Sequence, residues 1–136
     1  MEETFIVLMI KNEKTGFLEK ELDSYKLENC EEYIVNMFAE EINNSYKIHM
    51  HITTGFDVED WEYEAIYDHY DMDVFQPLNI LVRDIENYNP TWELIFDYID
   101  ENSKMEKYIK EVIGIHKKEI LEVLDLIKDK RNEYEL

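Results

Sequence analysis

The sequence predicts an α+β fold: a largely antiparallel sheet of about five strands, in the order ββ-α-β-α-ββ-α, with helices packed on it and a long C-terminal helix. Three observations carry this reading. Short apolar or alternating runs are joined by turn-forming residues at positions 12–16 and again at 87–90. Segments with apolar residues at helical spacing lie between them. From about residue 102 to 133 the helical pattern runs without interruption. The 136 residues include only three Gly and two Pro, and no linker, repeat or low-complexity tract divides them, so residues 1–136 read as one domain.

The elements follow in order. Residues 4–11 hold the unbroken run Phe5-Ile6-Val7-Leu8-Met9-Ile10, the pattern of a strand covered on both faces. Residues 12–16 (NEKTG) make a hairpin connection in which Gly16 supplies a positive φ. Residues 17–27 return as a more polar strand near a sheet edge. Asn29 is placed to cap a helix reaching about Ile42, with Tyr33, Ile34, Met37, Phe38 and Ile42 as its apolar stripe and Asn43-Asn44-Ser45 as its end. Residues 46–54 alternate: Tyr46, Ile48, Met50 and Ile52 point one way, Lys47, His49, His51 and Thr53 the other. Gly55-Phe56-Asp57 turns the chain, and Asp57 with Asp60 marks the start of a helix from Val58 to about Tyr70. Residues 78–86 and 91–99 form a hairpin, with Trp92, Leu94, Phe96 and Tyr98 alternating with Glu93, Ile95 and Asp97. In the final helix Met105, Ile109, Val112, His116, Ile120, Val123 and Ile127 form an apolar seam. That seam packs on its own sheet or on a second copy, which predicts a monomer or a homodimer through the C-terminal helix.

Charge narrows the function. Fourteen Lys and Arg stand against 33 Asp and Glu, a net −19, which opposes direct binding to nucleic acid or to an anionic membrane surface. No apolar run approaches the about 18 residues of a membrane span. The opening MEETFIVLMIKNEK is acidic with a short apolar run, unlike a secretory signal, so a cytoplasmic location is expected. Abundant Ile, Lys, Glu, Asn and Tyr with only Arg83 and Arg131 fit an AT-rich bacterial coding bias. The single cysteine, Cys30, excludes an internal disulfide framework, and the carboxylates beside it disfavour a reactive thiolate.

The negative charge is concentrated in residues 48–100, where thirteen acids face one base, Arg83. Within it, residues 57–73 hold eight carboxylates and no Lys or Arg. The leading expectation is a non-enzymatic protein-binding module that presents an acidic aromatic surface to a basic macromolecular partner. Its residues are Asp57, Glu59, Asp60, Trp61, Glu62, Tyr63, Glu64, Tyr67, Asp68, Tyr70, Asp71 and Asp73, with residues 84–100 continuing the surface. A second reading of the same surface is an inhibitor or nucleic-acid mimic that captures a basic DNA- or RNA-binding protein. A third is a metal-dependent enzyme at His49 and His51, about 7 Å apart along one strand face, with His69 or Asp68 as a further ligand. No cofactor is expected. There is no glycine-rich phosphate loop and no Cys-x-x-Cys, and none of Ser24, Ser45 and Ser103 lies in a Gly-x-Ser-x-Gly elbow. Asp68, Asp71 and Asp73 lack the glycine and terminal Glu of an EF-hand loop. His116, on the apolar seam, reads as a core histidine.

Overall fold

A computed structural model of the chain describes residues 5–28 and 31–135. Thr4, Asn29 and Cys30, and the readings that fall on them, lie outside the described residues. The strands are β1 (Phe5–Lys11), β2 (Leu18–Lys26), β3 (Ile34–Ile42), β4 (Ser45–Thr53), β5 (Leu81–Ile85) and β6 (Thr91–Asp97). The helices are α1 (Asp60–His69), α2 (Asn102–Ile127) and the short α3 (Arg131–Tyr134), with 3-10 turns at Glu31–Tyr33 and Met72–Leu78. The fold is α+β, as the sequence predicts, with six strands rather than five in the order β2-β1-β3-β4-β6-β5.

Four of the five strand pairings are antiparallel, and β1 with β3 is parallel. The hairpin accounts for that exception. Strand β2 brings the chain back to the end where β1 began, so a short crossing starts β3 in the same direction as β1. The turn before β2 follows the sequence: Gly16 has φ 77° and its N–H donates to the Asn12 carbonyl at 2.8 Å. Strand β2 is an edge strand, and its charged side chains suit that exposed position.

Residues 34–42 depart from expectation. They form strand β3, not a helix. The apolar positions fit both periods, but Met37 and Ala39 are buried while Asn36, Phe38 and Glu40 between and beside them are more exposed, the two-residue alternation of a strand. Asn43 and Asn44 do not end a helix. With φ of 50° and 66° they form the two-residue turn of a β3–β4 hairpin in which Ile42 pairs with Ser45. Positive φ at both turn residues matches the right-handed strand twist, and Asn tolerates it better than most side chains.

Both longer helices cover one face of the sheet. Ile48, Met50 and Ile52 of β4 and Trp92, Leu94 and Phe96 of β6 lie beneath them, fully or nearly fully buried. The α2 seam is as predicted, with Met105, Ile109, Val112, His116, Ile120, Val123 and Ile127 all buried. At 26 residues α2 is about 39 Å long, enough to cross the whole sheet. Its apolar seam packs on the chain's own core, the first of the two alternatives the sequence leaves open for it. Strand β1 is covered on one face only: Leu8 is buried, whereas Phe5 and Val7 are exposed.

Helix α1 starts later than Asp57 and Asp60 suggest. Glu59 is the N-cap, and a reciprocal capping box joins it to Glu62. Asp71 and Asp73 do not merely trail α1: Asp71 caps the 3-10 turn by accepting from the Asp73 N–H at 3.0 Å.

His116 ties three elements together inside the core. Its Nε2 lies 2.6 Å from the Thr53 carbonyl oxygen, which can only accept, so Nε2 carries the hydrogen. Nδ1 then accepts from the Tyr70 hydroxyl at 2.8 Å, and the Tyr70 ring stacks on Trp92 at 4.0 Å.

Two expectations follow for stability. Asn44→Gly should be neutral or mildly stabilising, while Asn44→Val should cost roughly 1–2 kcal/mol in urea unfolding because a β-branched residue resists positive φ. Equal effects would contradict the turn type. Burial, only partly offset by the Thr53 hydrogen bond, pushes the His116 imidazole from 6.5 down to about 4. The unfolded chain therefore takes up a proton from pH 6.5 downward that the folded chain refuses. Stability is full above that pH and falls by about 3 kcal/mol on this account as the pH drops to about 4. NMR should find the His116 ring still neutral at about pH 5 in folded protein. A titration near the ordinary value would refute it.

Candidate functional site

The alternation that buries Ile48, Met50 and Ile52 sends His49 and His51 to the opposite face of the sheet, which no described helix covers. Register then assembles two rows across that face. Met9, Phe38, His49, Ile95 and Leu81 are successive cross-strand neighbours from β1 to β5. Beside them run Asn36, His51, Glu93 and Arg83.

Glu93 is the centre of the second row. Its side chain is only 4% exposed although it sits on the uncovered face. One carboxylate oxygen, Oε1, accepts from Nε and Nη2 of Arg83, both at 2.8 Å. The other, Oε2, lies 2.8 Å from His51 Nε2 and 3.3 Å from His49 Nδ1. His49 Nε2 is in turn 3.3 Å from Glu40 Oε1. Phe38 lies flat on His49, with ring centroids 4.9 Å apart and planes 4° from parallel, and meets the edge of His51. The Lys11 ammonium sits 4.8 Å over the Phe38 ring.

The electrostatics follow from this packing. Burial alone would raise the Glu93 carboxyl. The hydrogen bonds from His51 and Arg83 and the close approach of His49 outweigh it and hold the group below its ordinary value. A carboxylate held ionised in this way, by His51 first and Arg83 beside it, is a poor general acid or base near neutral pH.

His69 and Asp68 are not part of this cluster. They belong to α1, which packs through Tyr67 and Tyr70 against Trp92 on the other face. Among the described residues no three His, Cys, Asp or Glu side chains are disposed to hold a metal ion.

The acidic segment is built differently from the expected surface. Tyr70 is buried, and Trp61, Tyr63 and Tyr67 are half-buried. Their polar ends are engaged locally. Tyr67 donates to the Ile85 carbonyl at 2.6 Å and accepts from the Thr91 N–H at 2.8 Å. Tyr63 donates to the Asn87 carbonyl at 2.9 Å, and Trp61 Nε1 to Glu59 at 2.8 Å. Asp57 accepts from Asn89, and Asp68 from the Tyr134 hydroxyl. These contacts fasten α1 to the β5–β6 turn and to α3. Of residues 84–100, Thr91, Trp92, Glu93, Leu94 and Phe96 are buried in an interior strand, while Asp84, Glu86, Asn87, Tyr88, Asp97 and Asp100 are exposed. The carboxylates of Asp57, Glu59, Asp60, Glu64, Asp68, Asp71 and Asp73 nonetheless remain exposed.

Sequence reasoning missed Glu93, Arg83, Glu40 and Phe38. One signal was available: Arg83, the lone base of residues 48–100, lies in a hairpin arm opposite a strand carrying one internal acid. The expected connection at 87–90 would have paired Arg83 with Leu94. The actual one spans residues 86–90 and pairs it with Glu93.

Residues 1–135 match the family of unknown function DUF6762. The chain belongs to that family. No curated protein and no solved structure matches it. Among the described residues no helix is long and apolar enough to cross a membrane.

Glu93→Gln should destabilise the fold by about 1–3 kcal/mol at pH 7, because the amide turns donors toward groups that need an acceptor. A depressed carboxyl adds stability above its unfolded value and loses it as the pH falls through the folded one. The gap between wild type and variant in urea unfolding should therefore close in acid. A gap independent of pH would show that the charge of Glu93 is not what the cluster uses.

Proposed function

We propose that the protein is a non-enzymatic protein-binding module and that its contact surface is the uncovered face of the sheet. One observation carries the reading. That face leaves large apolar side chains in solvent on both flanks of the Glu93 cluster: Phe5 at 55%, Val7 at 47% and Leu81 at 69% exposure. Exposed apolar side chains spread across one face, with aromatic and guanidinium groups at its centre, have the composition of an interaction surface.

The ion-paired state of Glu93 speaks for binding rather than proton transfer. Rigidity does too, since Phe38, the two imidazoles and Arg83 are already locked together, so little side-chain freedom is lost on contact.

The acidic side is a second reading. Its exposed carboxylates between Asp57 and Asp73, without a Lys or Arg among them, would attract a basic partner or imitate a nucleic-acid backbone. It ranks below the sheet face because its aromatic residues are turned inward and several of its acids serve as caps and tethers.

Capture of a partner from cell extract by tagged full-length protein separates the two. Val7→Glu with Leu81→Glu should abolish capture, while Asp68→Asn with Asp71→Asn and Asp73→Asn should leave it intact, both variants retaining the circular dichroism of the wild type. The reverse pattern would transfer the function to the acidic side.

A further inference from the structure

We propose that the occupant of the uncovered sheet face is a second copy of this chain, giving a face-to-face sandwich with the His49–Glu93–Arg83 cluster near its centre. The inference rests on reading that face as the contact surface and names what covers it.

Size is the first argument. Six strands about 4.8 Å apart, each roughly seven residues long at about 3.4 Å per residue, present about 700 Å². A standard interface takes about 800 Å² from each partner, so one sheet face on another is of the right size.

Charge is the second. A net −19 argues against self-association only if the charge lies where the copies meet. It does not. On this face Lys11, Lys26, Lys47 and Arg83 stand against Glu21, Glu40, Glu93 and Asp97, and Lys47 pairs with Asp97 as Arg83 does with Glu93. Helix α1 and its carboxylates lie on the far side of the sheet. In a face-to-face pair the two acidic layers point outward, separated by two sheets about 10 Å apart and by their helices, well beyond the about 8 Å screening length of physiological salt. A strongly basic partner would be drawn to the acidic side instead. A balanced face with apolar groups on both flanks, β1 and β5, is complementary to its own two-fold image.

The test is the solution mass of the untagged full chain. Light scattering at about 50 μM should give twice the 16.6 kDa chain mass, and dissociation on dilution should weaken as NaCl rises from about 20 to 300 mM. Val7→Glu and Leu81→Glu, both at exposed positions, should each raise the dissociation constant at least tenfold while circular dichroism stays unchanged. Should either variant fail to fold, carbethoxylation of wild-type His51 replaces it: the reaction should be slower at about 50 μM than at about 0.5 μM. A wild-type mass of one chain, or a His51 rate independent of concentration, overturns the dimer. So does a dimer that resists both variants but is lost on Leu121→Glu. A monomer whose partner capture is still abolished by Val7→Glu with Leu81→Glu overturns only the dimer, whereas capture that survives those changes overturns the contact face itself.

Discussion

Strands β4 and β6 lie side by side inside the sheet, and every side chain on them must point either toward the helices or away. One register therefore decides both faces at once. With Ile52 opposite Trp92, Met50 opposite Leu94 and Ile48 opposite Phe96, the helices receive a continuous apolar floor. The same pairing puts His51 opposite Glu93 and His49 opposite Ile95 on the other side. A slip of one residue would drive the imidazoles and a carboxylate under α2 and leave the core side chains in solvent. The His116 link from α2 to the end of β4 holds the helices over that floor.

The buried carboxylate reinforces the constraint. An ionised Glu93 is tolerated only where Arg83 and two imidazoles meet it, and removing its partners leaves an uncompensated buried charge. Any other pairing of β5, β6 and β4 breaks that set. The polar cluster thus adds specificity to a sheet whose apolar residues alone would accept several registers. Its outer member, Arg83, has a side chain 70% exposed, so the network ends in solvent and does not bury a second full charge.

The legible parts of the fold were those with a single period. Residues 46–53 alternate without ambiguity, and residues 102–127 are too long and too regular for anything but a helix. Residues 34–42 were not legible from apolar spacing, because Ile34, Met37, Phe38 and Ile42 satisfy a helical period while Met37 and Ala39, two apart, satisfy a strand period. The deciding signal was in the turn: two adjacent Asn between apolar runs favour a hairpin over a helix end. The histidine pair was visible, but its partner was not. Glu93 read as the polar member of an alternating strand, and its burial depends on neighbour strands and a register that no local pattern encodes. The acidic aromatic segment misled for the opposite reason. Its composition resembles a surface, yet Tyr67 and Tyr70 point inward because α1 needs an apolar side to lie on Trp92.

The two sides of the molecule thus differ in kind. The helical side carries the acids of residues 57–73, most of them exposed and several engaged in caps and tethers. The sheet side carries balanced charge, apolar flanks and a locked polar centre. Long-range fields from the first side act on encounter and orientation, whereas short-range packing on the second acts on the lifetime of a complex. A like-charged copy arriving with its acidic side foremost is repelled, and the same copy arriving sheet first meets little net charge. In the proposed face-to-face pair, this asymmetry of charge would select the approach that brings the apolar face into contact, the acidic side excluding the wrong orientations.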